Sequence, residues 1–243
     1  MRWIVGLGLR VLFAVGAVVG LLLGVVVIFW VSLYRGKRAV HADGVLCRAD
    51  VIARDTVIGP GLAGPALVRL SGAFAGLAPT GHDVLGMDIR FQKTAVDDAS
   101  VGDQDLLLGS FESFHTAAKD RETTDAVDYL DNDYSTVTPW WSPGHGPVTW
   151  HVLRPERRAA DRAPDRTGRL DADIVDDVAR IVLEIAGTPI VELRLTSRLP
   201  ADQRSLKASM FRTGRGIRPV GFRNGIRATV YPISQLARGL RGG

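Results

Sequence analysis

The chain has 243 residues, a single cysteine (Cys47) and a formal net charge of +4 carried by arginines spread along its length. One cysteine excludes an intrachain disulfide framework and a cysteine-based zinc site, and without a basic block nucleic acid is not an expected partner. Residues 39–243 suffice for one domain with a substantial core, and two full domains would be cramped.

In chain order, the first predicted element is an apolar helix. Residues 11–34 carry no charge and consist largely of Val, Leu, Gly, Ala, Ile and Phe, a length that crosses a hydrocarbon core. Trp3, Trp30 and Tyr34 lie near its ends, and Arg35, Lys37 and Arg38 close it, as expected where amphipathic rings and cations meet the headgroup layer. A cleavable secretory signal ending at Val40-His41-Ala42 is the competing reading, but the apolar run is too long for an ordinary signal core. Residues 1–38 therefore read as a transmembrane anchor with a basic flank, and 39–243 as one soluble domain. Arg2 and Arg10 nearly balance the basic residues on the other side, so orientation is weakly determined and leans to a cytoplasmic domain. Gly16, Gly20 and Gly24 bare one helix face, which leaves a homodimer through this helix open.

Beyond the anchor, segments 45–53, 66–71, 87–91, 148–153 and 190–196 alternate or run apolar at strand length. Turn-rich pieces separate them, among them Gly59-Pro60-Gly61, Pro79-Thr80-Gly81 and Ser142-Pro143-Gly144, the punctuation of an antiparallel sheet or barrel. A helix is predicted over 171–178, with Ile174, Val175 and Val178 on one face. Another is expected after Pro232, a residue suited to a first helical position. Between them, 156–169 is polar and Arg- and Asp-rich and reads as a mobile surface loop. The fold class is α+β, mainly an antiparallel sheet or β-barrel with a few helices, plus the N-terminal transmembrane helix.

Two short segments carry the chemistry. One is Arg38-Ala39-Val40-His41-Ala42-Asp43-Gly44, followed by Leu67-Val68-Arg69-Leu70-Ser71. The other is Arg227-Ala228-Thr229-Val230-Tyr231-Pro232, with Arg238 seven residues after the tyrosine. In this order they resemble the haem-dependent catalase superfamily, and Asp83-Val84-Leu85-Gly86, Gly216-Ile217-Arg218-Pro219 and Asp133-Tyr134-Ser135 are similar to further landmarks of it. The likeness runs over about residues 38–239 and points to a compact, membrane-anchored, catalase-related chain. It implies an antiparallel β-barrel, haem b as cofactor, His41 on the distal face as acid and base, and Ser71 as its hydrogen-bond partner. It further implies Tyr231 as the axial iron ligand, and Arg69 and Arg238 as propionate partners. Elementary chemistry agrees with that set. An arginine four residues before a tyrosine meets it on one helix face, so Arg227 can hydrogen-bond the phenol oxygen and favour the anion that ligates iron. A neutral imidazole can take a proton from a peroxide and return it to the departing oxygen.

Three departures from the family pattern stand out. The distal asparagine falls where the chain reads Asp105-Leu106-Leu107-Leu108-Gly109-Ser110-Phe111, so Ser110 is only a poor substitute. Leu85 replaces the arginine before Gly86, and Ile233 replaces an acid after Tyr231. The expected activity is accordingly peroxidase or organic-hydroperoxide chemistry rather than fast peroxide disproportionation, with peroxide or lipid hydroperoxide as substrate and membrane lipid as partner. One alternative is a haem-free barrel that binds lipid or serves as an interaction module. A weaker one is a phosphodiesterase-type hydrolase, suggested only by His82-Asp83. Trp140 and Trp141 are expected to cap the core rather than stack a cofactor, and His115, His145 and His151 are too far apart in sequence for a metal cluster.

Overall fold

The computed structural model describes residues 2–35, 41, 44–73, 82–113, 115–155, 158–160, 163–200 and 206–240. The expected turn at Pro79-Thr80-Gly81, and Arg38, Val40, Ala42 and Asp43 of the motif around His41, lie outside them. Among the described residues eight strands close into an antiparallel barrel in the order β1-β10-β9-β8-β5-β4-β3-β2. They are β1 Gly44–Ala53, β2 Gly64–Gly72, β3 Leu85–Phe91, β4 Gln104–Gly109, β5 Tyr134–Ser135, β8 Trp150–Leu153, β9 Arg180–Ile185 and β10 Thr188–Arg198. A small sheet, β6 Trp140–Ser142, β7 Gly146–Val148 and β11 Arg218–Pro219, lies outside the barrel. Closure leaves no unpaired edge along the ring, so each strand's backbone groups find partners without burying orphan donors.

The strands form where alternate residues can fill the barrel interior. Val45, Cys47, Ala49 and Val51 from β1 and Leu85, Met87, Ile89 and Phe91 from β3 join one core with Tyr134, Trp150, Ile181 and Leu183. β2 shows no alternation because its outer face is covered as well: Leu67 packs with Leu46, Leu199 and Leu206 in a second cluster. The same double coverage hides β4 from a period-two reading, since Gln104 to Gly109 are all buried. β9 is a strand the sequence reading missed, although its exposure does alternate along Arg-Ile-Val-Leu-Glu-Ile. Ala186 and Gly187, both at positive φ (50° and 78°), turn it tightly into β10, the backbone a two-residue hairpin requires. The single strand expected over 148–153 is instead two, β7 and β8, broken at Thr149.

The helices correct the sequence reading twice. Helix α5 is Arg166–Val175, capped by Asp165, whose carboxylate accepts from Thr167 N (3.0 Å) and Gly168 N (2.9 Å). The end of the supposed mobile loop is therefore ordered. Arg166 is fully buried there, 5.0 Å above the Tyr129 ring and 4.0 Å from the Asp83 carboxylate. Gly72 makes room for this pair, since a Cβ on it would lie 2.5 Å from Asp83 Oδ2 and 2.8 Å from Arg166 Nη2. The C-terminal helix α6 is Phe222–Gly239 and contains Pro232 rather than beginning at it. The short helices α3 Gly59–Leu62 and α4 Ala117–Thr123 close turns on the barrel surface.

The N-terminal helix runs as α1 Arg2–Leu23, a π-helical stretch Gly24–Ile28, and α2 Phe29–Arg35. One stretch of it, Gly6–Val31, is long and apolar enough to cross a membrane, with mean hydropathy 3.0. Its glycines are used within this chain. Gly16 abuts the Phe222 backbone, Gly20 abuts Ile226 and Thr229, and Gly24 abuts Ile233, all on α6. Gly225 of α6 returns the contact against Phe13, Gly16 and Ala17, so two backbones meet where side chains are smallest.

Two outcomes test this packing. Gly72→Ala should destabilise the fold by about 1–3 kcal/mol through overpacking, read from urea unfolding, whereas Gly61→Ala, which meets nothing within 4 Å, should not. Burial, aided by the Asp171 charge and opposed by Arg198, pushes the Cys47 thiol up to about 12 from 9.0. The native protein should therefore resist a disulfide reagent at neutral pH and react once unfolded. Because the unfolded thiol ionises first, this group's contribution to stability holds below the unfolded value of 9.0 and falls as pH rises through about 12.

Candidate functional site

Strand register builds the floor of the site. Gly44, Ser71, Gly86, Gly109, Ser135, His151 and Glu184 are successive cross-strand partners on β1, β2, β3, β4, β5, β8 and β9. Their sequence neighbours Val45, Leu70, Leu85, Leu108, Tyr134, Val152, Leu183 and Ile185 belong to the core, so this row faces away from it. The row is nearly bare at Gly86 and Gly109, and aromatic rings occupy the space. The imidazole of His41 rests on Gly86, where a Cβ would come within 2.7 Å of its Cε1 and 2.8 Å of its Nδ1. Phe111 covers Gly109 in the same way, at 2.6 Å.

His41 is fixed from several sides. Its backbone has φ 56°, in the left-handed region uncommon for a residue with a side chain. Its N–H donates to Ala73 O (3.1 Å), its carbonyl accepts from Arg69 Nη2 (2.9 Å), and its Nδ1 pairs with Ser71 Oγ (3.1 Å). Ser71 Oγ also lies 3.5 Å from Gly86 O, as donor. In the tautomer that carries its proton on Nδ1, the ring donates to this hydroxyl and Nε2 is its basic nitrogen. Arg69 is 1 % exposed and stands 3.8 Å from Asp88. Its Nη2 thus holds the His41 carbonyl while Nη1 faces Asp88.

The second pair sits on α6. Arg227 Nε donates to Tyr231 Oη at 3.3 Å, while its Nη1 donates to Thr138 Oγ1 (3.0 Å) and Thr136 O (3.3 Å) in the segment after β5. Thr138 in turn donates to Asn224 Oδ1 at 2.7 Å. Asn224 completes the anchor by donating to Pro139 O (2.8 Å) and Val220 O (3.1 Å). Tyr231 is half-buried and packs against the barrel core. The route from β4 to α6 is tied down as well. Buried Asp105 accepts from Arg90 (2.9 Å), from Arg212 and from Ser209 N (2.8 Å), and its burial raises its pKa against those three partners. Arg238 lies in α6, but its side chain is outside the described residues.

Other expected residues are placed elsewhere. Ser110 Oγ accepts from Leu85 N (2.8 Å) and shares a bond with Thr124 Oγ1 (3.0 Å), so its hydroxyl serves the β3–β4 end. His82 is exposed while Asp83 is buried against Arg166. That pair shares no site, and among the described residues no three His, Cys, Asp or Glu side chains gather as metal ligands. Trp140 is fully buried in the core, as expected, whereas Trp141 is half-exposed. There are two clefts, of about 490 and 380 Å³, the larger over the Ser135–His151–Glu184 end of the same cross-strand row. The larger is bordered by Glu112, Asp120, Ser135, His151 and Glu184, the smaller by Ser100, Asp103, Phe211 and Arg212. Neither is lined by His41 or Tyr231.

Sequence reasoning missed Gly86 as the seat of the imidazole and Thr136 and Thr138 as partners of Arg227. Only strand register exposes the first. The second had one local signal, the threonine pair of Thr136-Val137-Thr138 just before Pro139. Thr138→Val should cost about 1–3 kcal/mol in urea unfolding, because Arg227 and Asn224 both lose a partner at a buried position.

No family model matches the chain, and no curated protein matches it. Solved structures do. It is similar to a bacterial catalase at 12% identity and TM-score 0.54, covering 83% of this chain and 57% of that one. It is also similar to a fungal catalase at 12% identity and TM-score 0.53, covering 83% and 58%. The chain spans under three-fifths of the length of either. At such identity the likeness concerns architecture, and the chain has a catalase-like fold.

Proposed function

We propose that this protein is a membrane-held, catalase-like haem protein that reduces organic hydroperoxides. The observation that carries the reading is that two catalytically suited pairs, His41–Ser71 and Arg227–Tyr231, both form at hydrogen-bond distance on a catalase-like barrel. The donor chemistry fits haem b. Tyr231 offers a phenol oxygen that a guanidinium already addresses, and His41 offers a held imidazole.

In this reading Tyr231 would hold the haem iron through its phenol oxygen, and Arg227 would keep that oxygen in place through a charge-assisted hydrogen bond. When bound, haem would supply the redox-active iron for cleaving the O–O bond, a two-electron, two-proton reduction of the hydroperoxide to an alcohol and water whose electrons come from an oxidisable organic co-substrate. His41 Nε2 takes the hydroperoxide proton and delivers it to the departing oxygen. Ser71 and Gly86 keep the ring's tautomer and plane, and Arg69 holds its backbone. Ser110 carries one hydroxyl in place of an amide and is committed to Leu85 N, which favours peroxidase turnover over rapid disproportionation of hydrogen peroxide.

Expression with haem supply should give a Soret band that Tyr231→Phe shifts or abolishes. His41→Ala should keep the band while lowering turnover of cumene hydroperoxide about 10²- to 10⁴-fold, the usual contribution of a positioned acid and base. A protein without a Soret band, or with one indifferent to Tyr231→Phe, overturns the assignment. The commitment of Arg69 to the His41 carbonyl favours a second reading, a haem-free barrel that holds lipid. Lipid co-purifying with a colourless protein would establish that instead.

A further inference from the structure

We infer that the N-terminal helix lies flat in one leaflet of a bilayer, with α6 and the barrel stacked on its inner face, rather than threading the membrane as a separate span. This rests on the membrane association proposed above and is independent of haem.

The two faces of the helix are sorted opposite to a water-soluble helix. Small residues turn inward: Gly16, Gly20 and Gly24 are buried against α6. Bulky ones turn outward: Leu7, Val11, Val18, Leu22, Val26 and Trp30 are 56–69 % exposed. These six recur at four- and seven-residue helical spacings and so share a side. The wider turn of the π-helical stretch Gly24–Ile28 offsets the drift that a four-residue repeat accumulates at about 3.6 residues per turn. Helices packed in lipid make this division, with small residues at the helix contact and large aliphatic ones toward acyl chains. From Val11 to Tyr34 the outward side carries no charge, which suits hydrocarbon, and Trp30 and the 86 %-exposed Tyr34 supply interfacial rings at its end.

The orientation follows from α6. It runs parallel to α1, from Gly221 N bonded to Leu9 O (3.2 Å), through Thr229 Oγ1 bonded to Ala17 O (3.2 Å), to Ile233 beside Gly24. Its other side is fastened along its length by Asn224, Arg227 and Gln235, the last donating to Ala208 O at 3.1 Å. The barrel therefore accompanies α1 over the stretch that would have to sit in hydrocarbon. A perpendicular crossing would draw Arg223, Arg227 and the barrel flank into the membrane core, at a cost of several kcal/mol per charge. Lying flat buries only the apolar side, as interfacial helices do.

The test uses the full-length protein with single nitroxide labels at Val11→Cys, Val18→Cys and Val26→Cys, in vesicles of phosphatidylcholine and phosphatidylglycerol. Native Cys47 is buried and needs no removal. Depth from oxygen and nickel-chelate accessibility should be similar at all three sites, about 5–10 Å below the headgroups. A centre at Val18 about 11 Å deeper than both ends, the offset of a perpendicular helix rising 1.5 Å per residue, overturns the flat arrangement while leaving membrane association standing. Labels coupled to one another but inaccessible to lipid show a second copy on this face and overturn it too. Failure to float with vesicles overturns both it and the membrane reading. The Soret measurement stands apart from all three outcomes.

Discussion

Thr138 accepts the Arg227 guanidinium with the same hydroxyl that donates to Asn224, and this shared hydrogen bond fixes α6 on the barrel. Much else depends on it. Arg227 addresses Tyr231 through Nε while its Nη1 is held by the segment after β5, and the N-terminal helix has a surface to pack on because α6 is seated. The tie is polar and specific, because Arg227 and Asn224 of α6 bond to Thr136, Thr138 and Pro139 in the segment after β5. Buried polar contacts of this kind are valuable when every member is satisfied and costly when one is removed.

Around that tie the barrel separates two tasks. Its interior is filled by alternating aliphatic and aromatic side chains, which gives stability without chemistry. Its outer face carries the transverse row of small residues on which His41 and Phe111 rest. A closed barrel is rigid enough to hold an imidazole against a bare glycine, and glycine is needed there because any side chain would displace the ring. The strained backbone of His41, held at both its N–H and its carbonyl, is the sort of local cost that persists where surrounding bonds over-determine a conformation.

The buried charges follow the same logic. Arg166 lies between the Tyr129 ring and Asp83, and Asp105 gathers Arg90, Arg212 and a backbone amide. Each fastens an irregular segment to a strand: the first ties the start of α5 to the β2–β3 end, the second ties the approach to α6 to β4. Burial raises the Asp105 pKa, and its cationic partners oppose that rise. Removing one partner of such a cluster is therefore far more damaging than replacing the whole.

The apolar N-terminal helix, the antiparallel strands and the Arg227–Tyr231 spacing were legible in the sequence, because each is written in local periodicity or in a fixed offset along one helix, whereas closure of the strands into a barrel is a matter of register. The sequence left β4 unread because both faces of that strand are covered and no alternation survives. It misread the start of α5 because a buried arginine looks like a solvated one until its aromatic and acidic partners, 37 and 83 residues away in sequence, are brought to it. Only the folded chain shows that the helix glycines meet α6, that Gly86 seats the His41 ring, that Ser110 accepts from Leu85 N and that Arg69 holds the His41 carbonyl. Those outcomes depend on strand register and on contacts between distant segments, which no local pattern encodes.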